Sequence, residues 1–177
     1  MPYLKQHQHT ENFMEILLHK HEKYRPIVAI LDNIVRNAKQ LNWLDFEEIA
    51  VKISNINCSG FCTDIHRGTR DALKQKNQLS LNKNIDALIT FSLKLNASPK
   101  EITNHDIQTL RNRGWDDQSI EDIIAWVASV NLYNTMANGL GFSNNLPDEV
   151  FNAMGKGTIE QGSYLSIFDY FSSLEAE

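Results

Sequence analysis

Hydrophobic residues recur every three or four positions along most of this chain, and no stretch alternates apolar and polar residues as a strand does. This spacing is typical of helices with one apolar face. We therefore predict an all-α fold. In the first half the pattern predicts four helices, with approximate limits Phe13 to Tyr24, Pro26 to Val35, Leu44 to Asn57 and Ser59 to Lys74.

The second half continues the helical pattern after a polar interruption. Residues 75–84 lack a period and predict an exposed connection. Further helices are predicted over Ile85 to Leu95, over 104–113, from Asp116 or Asp117 to beyond Leu132, and after Pro147, with a turn at Gly155 to Thr158 before the last. The helix around Trp126 is so apolar that we expect it to be the most buried, and Asn131 and Asn134 then need hydrogen-bond partners.

Composition narrows the class of protein. The 177 residues are 42% hydrophobic, enough for the core of one domain spanning 1–177. A formal net charge of −5 without any basic run argues against a nucleic-acid partner. No apolar run reaches the roughly 18 residues of a membrane span, and the first residues do not resemble a signal peptide. We therefore expect a cytoplasmic protein with no membrane partner.

Both cysteines lie in one short segment, between Glu47 and His66. Cys58, Cys62 and His66 are spaced four residues apart, so on a continuous helix they would share one face. A thiol reacts as its thiolate, and an imidazolium or a helix N-terminus beside it lowers its pKa. His66 is placed to do this for Cys62, while Glu47 can take up the proton. A second thiol, Cys58, can convert a sulfenic acid into a disulfide.

Other interpretations of these residues stay open. The two thiols can be buried and inert, or they can bind zinc with His66, although no fourth ligand is evident. The three tryptophans are expected to anchor the core or an interface, and they are Trp43, Trp115 and Trp126.

The cysteine segment resembles the AhpD-like alkylhydroperoxidase and carboxymuconolactone decarboxylase family. That family's motif is a glutamate, the first cysteine of a Cys-x-x-Cys pair twelve positions later, and a histidine four positions after the second cysteine. Glu47, Cys62 and His66 fit this motif. Ser59 stands where the first cysteine belongs, and Cys58 lies one residue earlier. The resemblance covers about residues 40–142 and includes Ala87 to Leu95, Gly114 to Asp122 and the pair Asn131 and Asn134.

The resemblance implies an AhpD-like multi-helix domain that forms homo-oligomers and acts as a thiol-dependent peroxidase. Cys62 would attack the peroxide, His66 would stabilise the thiolate and Glu47 would act as base. The resolving role passes to Cys58, with Ser59 as a polar substitute. The implied partners are a peroxide or other small molecule and a dithiol electron donor, and we expect no cofactor and no metal.

Two further functions remain as alternatives. One is carboxymuconolactone decarboxylase-like chemistry, against which the two cysteines weigh because such relatives do not need them. The other is a non-enzymatic helical oligomer that senses redox state or keeps the motif only for packing.

Overall fold

The computed structural model describes residues 2–77, 79–143 and 146–168. These residues form α-helices and two 3-10 turns, and no strand occurs among them. The helices are α1 (Phe13–His19), α2 (His21–Asn37), α3 (Trp43–Ile56), α4 (Gly60–Asn77), α5 (Ile85–Ala97), α6 (Asn104–Asn112), α7 (Asp117–Leu140) and α8 (Asp148–Gln161). The all-α prediction is confirmed. Within the described ranges, no helix has the length and apolarity needed to cross a membrane.

Helix α3 lies at the centre of the fold. It contacts α2, α4, α5 and α7, and α4 in turn packs along α8. Where α3 meets α7, the side chains of Phe46, Ile53, Ile123 and Trp126 are fully buried, and burial of such large apolar groups is the main favourable term in folding. The indole Nε1 of Trp126 donates to the Phe46 carbonyl at 2.9 Å, so this buried polar group is also satisfied.

The expectation that α7 is the most buried helix is wrong. Eight of the 14 residues of α3 are buried, against nine of the 24 residues of α7. Helix α7 leaves Ile124 and Leu132 40% and 41% exposed. Apolar residues of α7 therefore lie on an exposed side of the helix as well as on the side that packs against the rest of the described chain.

A capping box sets the start of α3 and hence the position of Glu47. The side chain of Asn42 accepts from the backbone N–H groups of Leu44 and Asp45, and Asp45 accepts from the N–H of Asn42 in return. The other carboxylate oxygen of Asp45 accepts from the N–H of Asn82 at 2.8 Å. The same residue thus caps α3 and holds the chain that follows α4.

The connection predicted over 75–84 is shorter than expected. Helix α4 continues to Asn77, Gln78 lies outside the described residues, and 79–84 is non-helical. Asn82 fastens this stretch, because its side chain also donates to the Gln40 carbonyl at 3.1 Å. Part of the stretch is therefore helical, and the rest is held against α3.

One predicted helix boundary lies at another residue, and one predicted turn is absent. The first two helices separate at Lys20, and Pro26 lies inside α2. Pro26 is the sixth residue of that helix, so the carbonyl of Glu22 lacks the N–H that would otherwise donate to it. Gly155 and Gly157 lie inside α8 and do not form a turn. A Cβ on Gly155 would stand 2.4 Å from the carbonyl carbon of Gly68, so glycine there permits the close packing of α8 on α4.

Candidate active site

A buried carboxylate and an imidazole meet where α3 packs on α4. Glu47 is fully buried, and its Oε2 lies 2.7 Å from Nδ1 of His66. A carboxylate only accepts hydrogen bonds, so Nδ1 carries the proton. In the neutral imidazole, Nε2 then holds the free lone pair. The pair therefore presents an oriented base.

Two aromatic residues complete the surroundings of Glu47, and sequence reasoning missed this role for both. The indole Nε1 of Trp43 donates to Glu47 Oε1 at 3.2 Å, and the hydroxyl of Tyr164 donates to the same oxygen. With His66 on Oε2, both carboxylate oxygens are satisfied, as a buried charge requires. Trp115 and Trp126 are core residues as expected, whereas Trp43 is a half-buried donor at the site.

Tyr164 reaches the site from the far end of the described chain, 117 residues from Glu47. The backbone N–H of Tyr164 and the hydroxyl of Ser163 both donate to Oδ1 of Asp32 on α2, at 2.8 and 2.7 Å. Burial raises the pKa of Tyr164 well above its usual value, and the nearby Glu47 charge adds to this. The hydroxyl therefore stays protonated and remains a donor. No motif in the sequence indicates such a contact.

Cys62 lies in the first turn of α4, as the sequence predicted, but its electrostatic setting differs from the prediction. The residue is only 3% exposed, and burial raises the pKa of its thiol to about 11, which the neighbouring Ser59 hydroxyl offsets only in part. We expected His66 and the helix N-terminus to lower this pKa. The prediction is wrong because burial removes the thiolate from water and so disfavours the charged form of the thiol.

An apolar cavity of about 90 Å³ joins the thiol to the base. Cys62, His66 and Tyr133 line it together with apolar side chains from α1, α2, α4 and α8. A cavity that holds one water molecule has a volume of about 10–15 Å³, so this cavity has room for a small ligand. Cys62 and His66 are thus placed at one cavity, with Glu47 behind the imidazole.

Cys58 does not join this group. It lies in the turn between α3 and α4 with a φ of 52°, an uncommon backbone conformation for a residue other than glycine. Its side chain is exposed while that of Cys62 is buried, and the two are not at disulfide distance. The predicted face shared by Cys58, Cys62 and His66 is wrong, because α4 begins only at Gly60 and the turn directs Cys58 away.

A network of amides holds this turn in place. Asn57 donates to the side-chain oxygen of Asn131 on α7 at 2.8 Å and to that of Asn96 on α5 at 3.1 Å. Ser54 donates to Asn134 at 3.0 Å. The side-chain oxygens of Asn131 and Asn134 have hydrogen-bond partners, as expected, but Nδ2 of Asn134 is buried without a partner in the described chain. The start of α4, and with it Cys62, is therefore fixed to α5 and α7.

The zinc interpretation finds no support in the described ranges, where no three His, Cys, Asp or Glu side chains come together as a metal site would need. Cys58, Cys62 and His66, the ligand set that the sequence suggested, are therefore not assembled as a metal site.

Comparison with solved structures supports the resemblance seen in the sequence. No protein-family model and no curated protein matches the chain. A peroxidase-related protein from Ralstonia eutropha JMP134, described as an alkylhydroperoxidase AhpD core, superposes with a TM-score of 0.67 at 25% identity, over 80% of this chain and 78% of that one. The chain has the AhpD-like fold. A peroxidase-related protein from Silicibacter sp. TM1040 shows the same fold, with a TM-score of 0.65 at 22% identity over 77% of this chain and 75% of that one.

In this chain α3 packs on α4 so that Glu47, near the start of α3, meets His66, two turns into α4. Tyr164 lies outside the part of the sequence, about 40–142, that carried the resemblance, and so does the Asp32 that anchors it.

Proposed function

We propose that this protein is a thiol-dependent peroxidase that reduces a small hydroperoxide at Cys62. One observation carries the proposal: Cys62 and His66 line the same apolar cavity, and Glu47 holds the other nitrogen of His66 at 2.7 Å. A thiol beside an oriented base is the arrangement of an activated nucleophile. The Ralstonia neighbour, an alkylhydroperoxidase AhpD core, agrees with this chemistry.

The reaction begins with a proton transfer, because the raised pKa of Cys62 leaves its sulfur protonated at neutral pH. Nε2 of His66 takes up that proton, and Glu47 balances the charge of the imidazolium. The sulfur then attacks the terminal oxygen of the hydroperoxide. An S–O bond forms and the O–O bond breaks, so that Cys62 becomes a sulfenic acid and the leaving oxygen, once protonated, becomes an alcohol.

A dithiol electron donor completes the cycle. Its first thiol attacks the sulfenic acid, giving a mixed disulfide and water, and its second thiol releases Cys62 and leaves as a disulfide. The sequence suggested that Cys58 would resolve the sulfenic acid, but Cys58 is exposed and apart from Cys62. We therefore assign both steps to the external donor.

Hydroperoxide consumption tests the proposal. With tert-butyl hydroperoxide and dithiothreitol, the wild-type protein should consume peroxide catalytically, and Cys62→Ser should lose at least about 100-fold in rate because the nucleophile is gone. Cys58→Ser is the matched control, since it makes the same change at the exposed cysteine, and it should keep the wild-type rate. Equal activity of the wild-type protein and Cys62→Ser would exclude this mechanism and favour the decarboxylase-like or non-enzymatic alternative.

The quaternary structure and cellular location belong to the same proposal. The exposed Ile124 and Leu132 on α7 are apolar side chains suited to contact with another copy of the chain. Together with the AhpD-like fold they support a homo-oligomer, which stays a prediction. A cytoplasmic location, where dithiol donors are kept reduced, fits the proposed cycle.

A further inference from the structure

One buried hydroxyl at the cavity has no hydrogen-bond partner. The side chain of Tyr133 is 8% exposed, and among the described residues its hydroxyl bonds to nothing. Leaving a buried donor unpaired costs free energy. Tyr133 lines the cavity with Cys62 and His66, and it lies close enough to the thiol for their charges to interact. A ligand that enters beside Cys62 and widens the cavity towards Tyr133 is therefore the natural partner for this hydroxyl.

The other hydroxyls that line the cavity are already engaged. Thr69 donates to the Ile65 carbonyl at 3.0 Å, and Thr158 donates to the Met154 carbonyl at 3.1 Å. Tyr164 donates to Glu47. Among the described lining residues, Tyr133 is therefore the hydroxyl whose proton is free for a ligand.

Tyr133 is also held near the reacting sulfur. Its neighbour Asn134 accepts from Ser54 at 3.0 Å, and Asn131 on the same helix accepts from Asn57 at 2.8 Å, so α7 is tied to the turn that precedes Cys62. Burial, and then the proximity of Cys62, raise the pKa of Tyr133. The hydroxyl is thus a protonated donor at neutral pH and cannot act as a base.

We propose that Tyr133 is a catalytic residue whose hydroxyl donates a hydrogen bond to the leaving oxygen of the hydroperoxide. This inference rests on the proposed peroxidase function. As the sulfur of Cys62 bonds to the terminal oxygen and the O–O bond breaks, negative charge develops on the other oxygen. Tyr133 stabilises that charge, and the proton that Cys62 gave to His66 finally converts the leaving oxygen into an alcohol.

The test compares two oxidants on Tyr133→Phe, which removes only the hydroxyl. The rate of Cys62 oxidation is measured in single turnover, by trapping the sulfenic acid with dimedone and locating it by mass spectrometry. With tert-butyl hydroperoxide, whose leaving alkoxide is strongly basic, the variant should react about 100-fold more slowly. With peracetic acid, whose leaving carboxylate needs no donor, it should react at nearly the wild-type rate.

Tyr3→Phe is the matched control, because it removes a tyrosine hydroxyl at a side chain that is 74% exposed. It should match the wild-type protein with both oxidants. A wild-type rate of Tyr133→Phe with peracetic acid would show that the site is intact, because a folding defect would slow the reaction with both oxidants. Equal rates of Tyr133→Phe and wild type with tert-butyl hydroperoxide, or an equal loss with both oxidants, would overturn the role of Tyr133. If tert-butyl hydroperoxide does not oxidise Cys62 in the wild-type protein, the peroxidase function itself is overturned.

Discussion

At the scale of single residues, the surroundings of each cysteine decide its reactivity. Cys62 is 3% exposed and its pKa is raised to about 11 from 9.0. This rise in pKa lowers its thiolate population about 100-fold compared with an ordinary thiol. Cys58 lies exposed in the turn before α4. The sequence indicated the opposite order of reactivity, since it showed the histidine and the helix N-terminus but not the burial.

Alkylation of the folded protein should therefore modify Cys58 first. With iodoacetamide at neutral pH, we expect Cys62 to react at least about 100-fold more slowly than Cys58, because its thiolate is scarce and its sulfur is covered. Mass spectrometry with fragmentation separates the two thiols over a time course. In urea the two should react at similar rates, which is the control. Equal rates in the folded state would contradict the burial of Cys62.

At the scale of elements, the contact between α4 and α8 depends on glycine. A Cβ on Gly155 would lie 2.4 Å from the carbonyl carbon of Gly68, and one on Gly68 would lie 2.4 Å from the Phe151 carbonyl oxygen. These are backbone atoms, so the two helices would have to separate. Helix α8 contributes Met154 and Thr158 to the cavity, and the close contact thus also shapes the proposed site.

Gly155→Ala should destabilise the protein by about 1–3 kcal/mol, because the added methyl group forces α8 away from α4. Gly157→Ala is the matched control on the same helix, where a Cβ would meet nothing within 4 Å. It should stabilise the protein by about 0.5–1 kcal/mol, since alanine loses less backbone entropy in a helix than glycine does. Urea unfolding measures both changes. Equal stability of the two variants would show that the helices are not in this close contact.

At the scale of the whole molecule, the buried thiol links stability to alkaline pH. The folded pKa of Cys62, about 11, lies above the unfolded value of 9.0. Below pH 9 the thiol is protonated in both states, so its contribution to stability is fully present. As the pH rises further, the unfolded chain releases this proton and the folded chain retains it, and the free energy of unfolding falls.

The loss that this thiol causes between pH 8 and pH 11 should be about 2 kcal/mol. Urea unfolding at the two pH values measures it for the wild-type protein and for Cys62→Ala. Other groups add to the loss in both proteins, including Tyr133 and Tyr164, which release protons in this range from the unfolded chain but keep them in the folded one because their folded pKa values are raised. The difference between the two pH dependences therefore isolates Cys62. The same alkaline loss in both proteins would mean that the thiol is not buried as described.

Features that depend on neighbouring residues along the chain follow from the amino-acid sequence alone. The apolar period predicted the helices, the position of Cys62 early in α4 and His66 one turn later. It also predicted that Asn131 and Asn134 need partners, because a polar side chain in an apolar helix must be satisfied. With the resemblance, it predicted the fold and the fit of Glu47 to the motif.

Which groups are buried, and which distant groups are in contact, follows from the packing of the helices. The pKa of Cys62 follows from its burial, which depends on helices far away in the chain. Cys58 leaves the site because the chain turns with a positive φ before α4 begins. Tyr133 and Tyr164 reach the cavity through packing between helices and through the anchor on Asp32. Periodicity records which face of a helix is apolar, but it carries no information about which distant side chain covers that face.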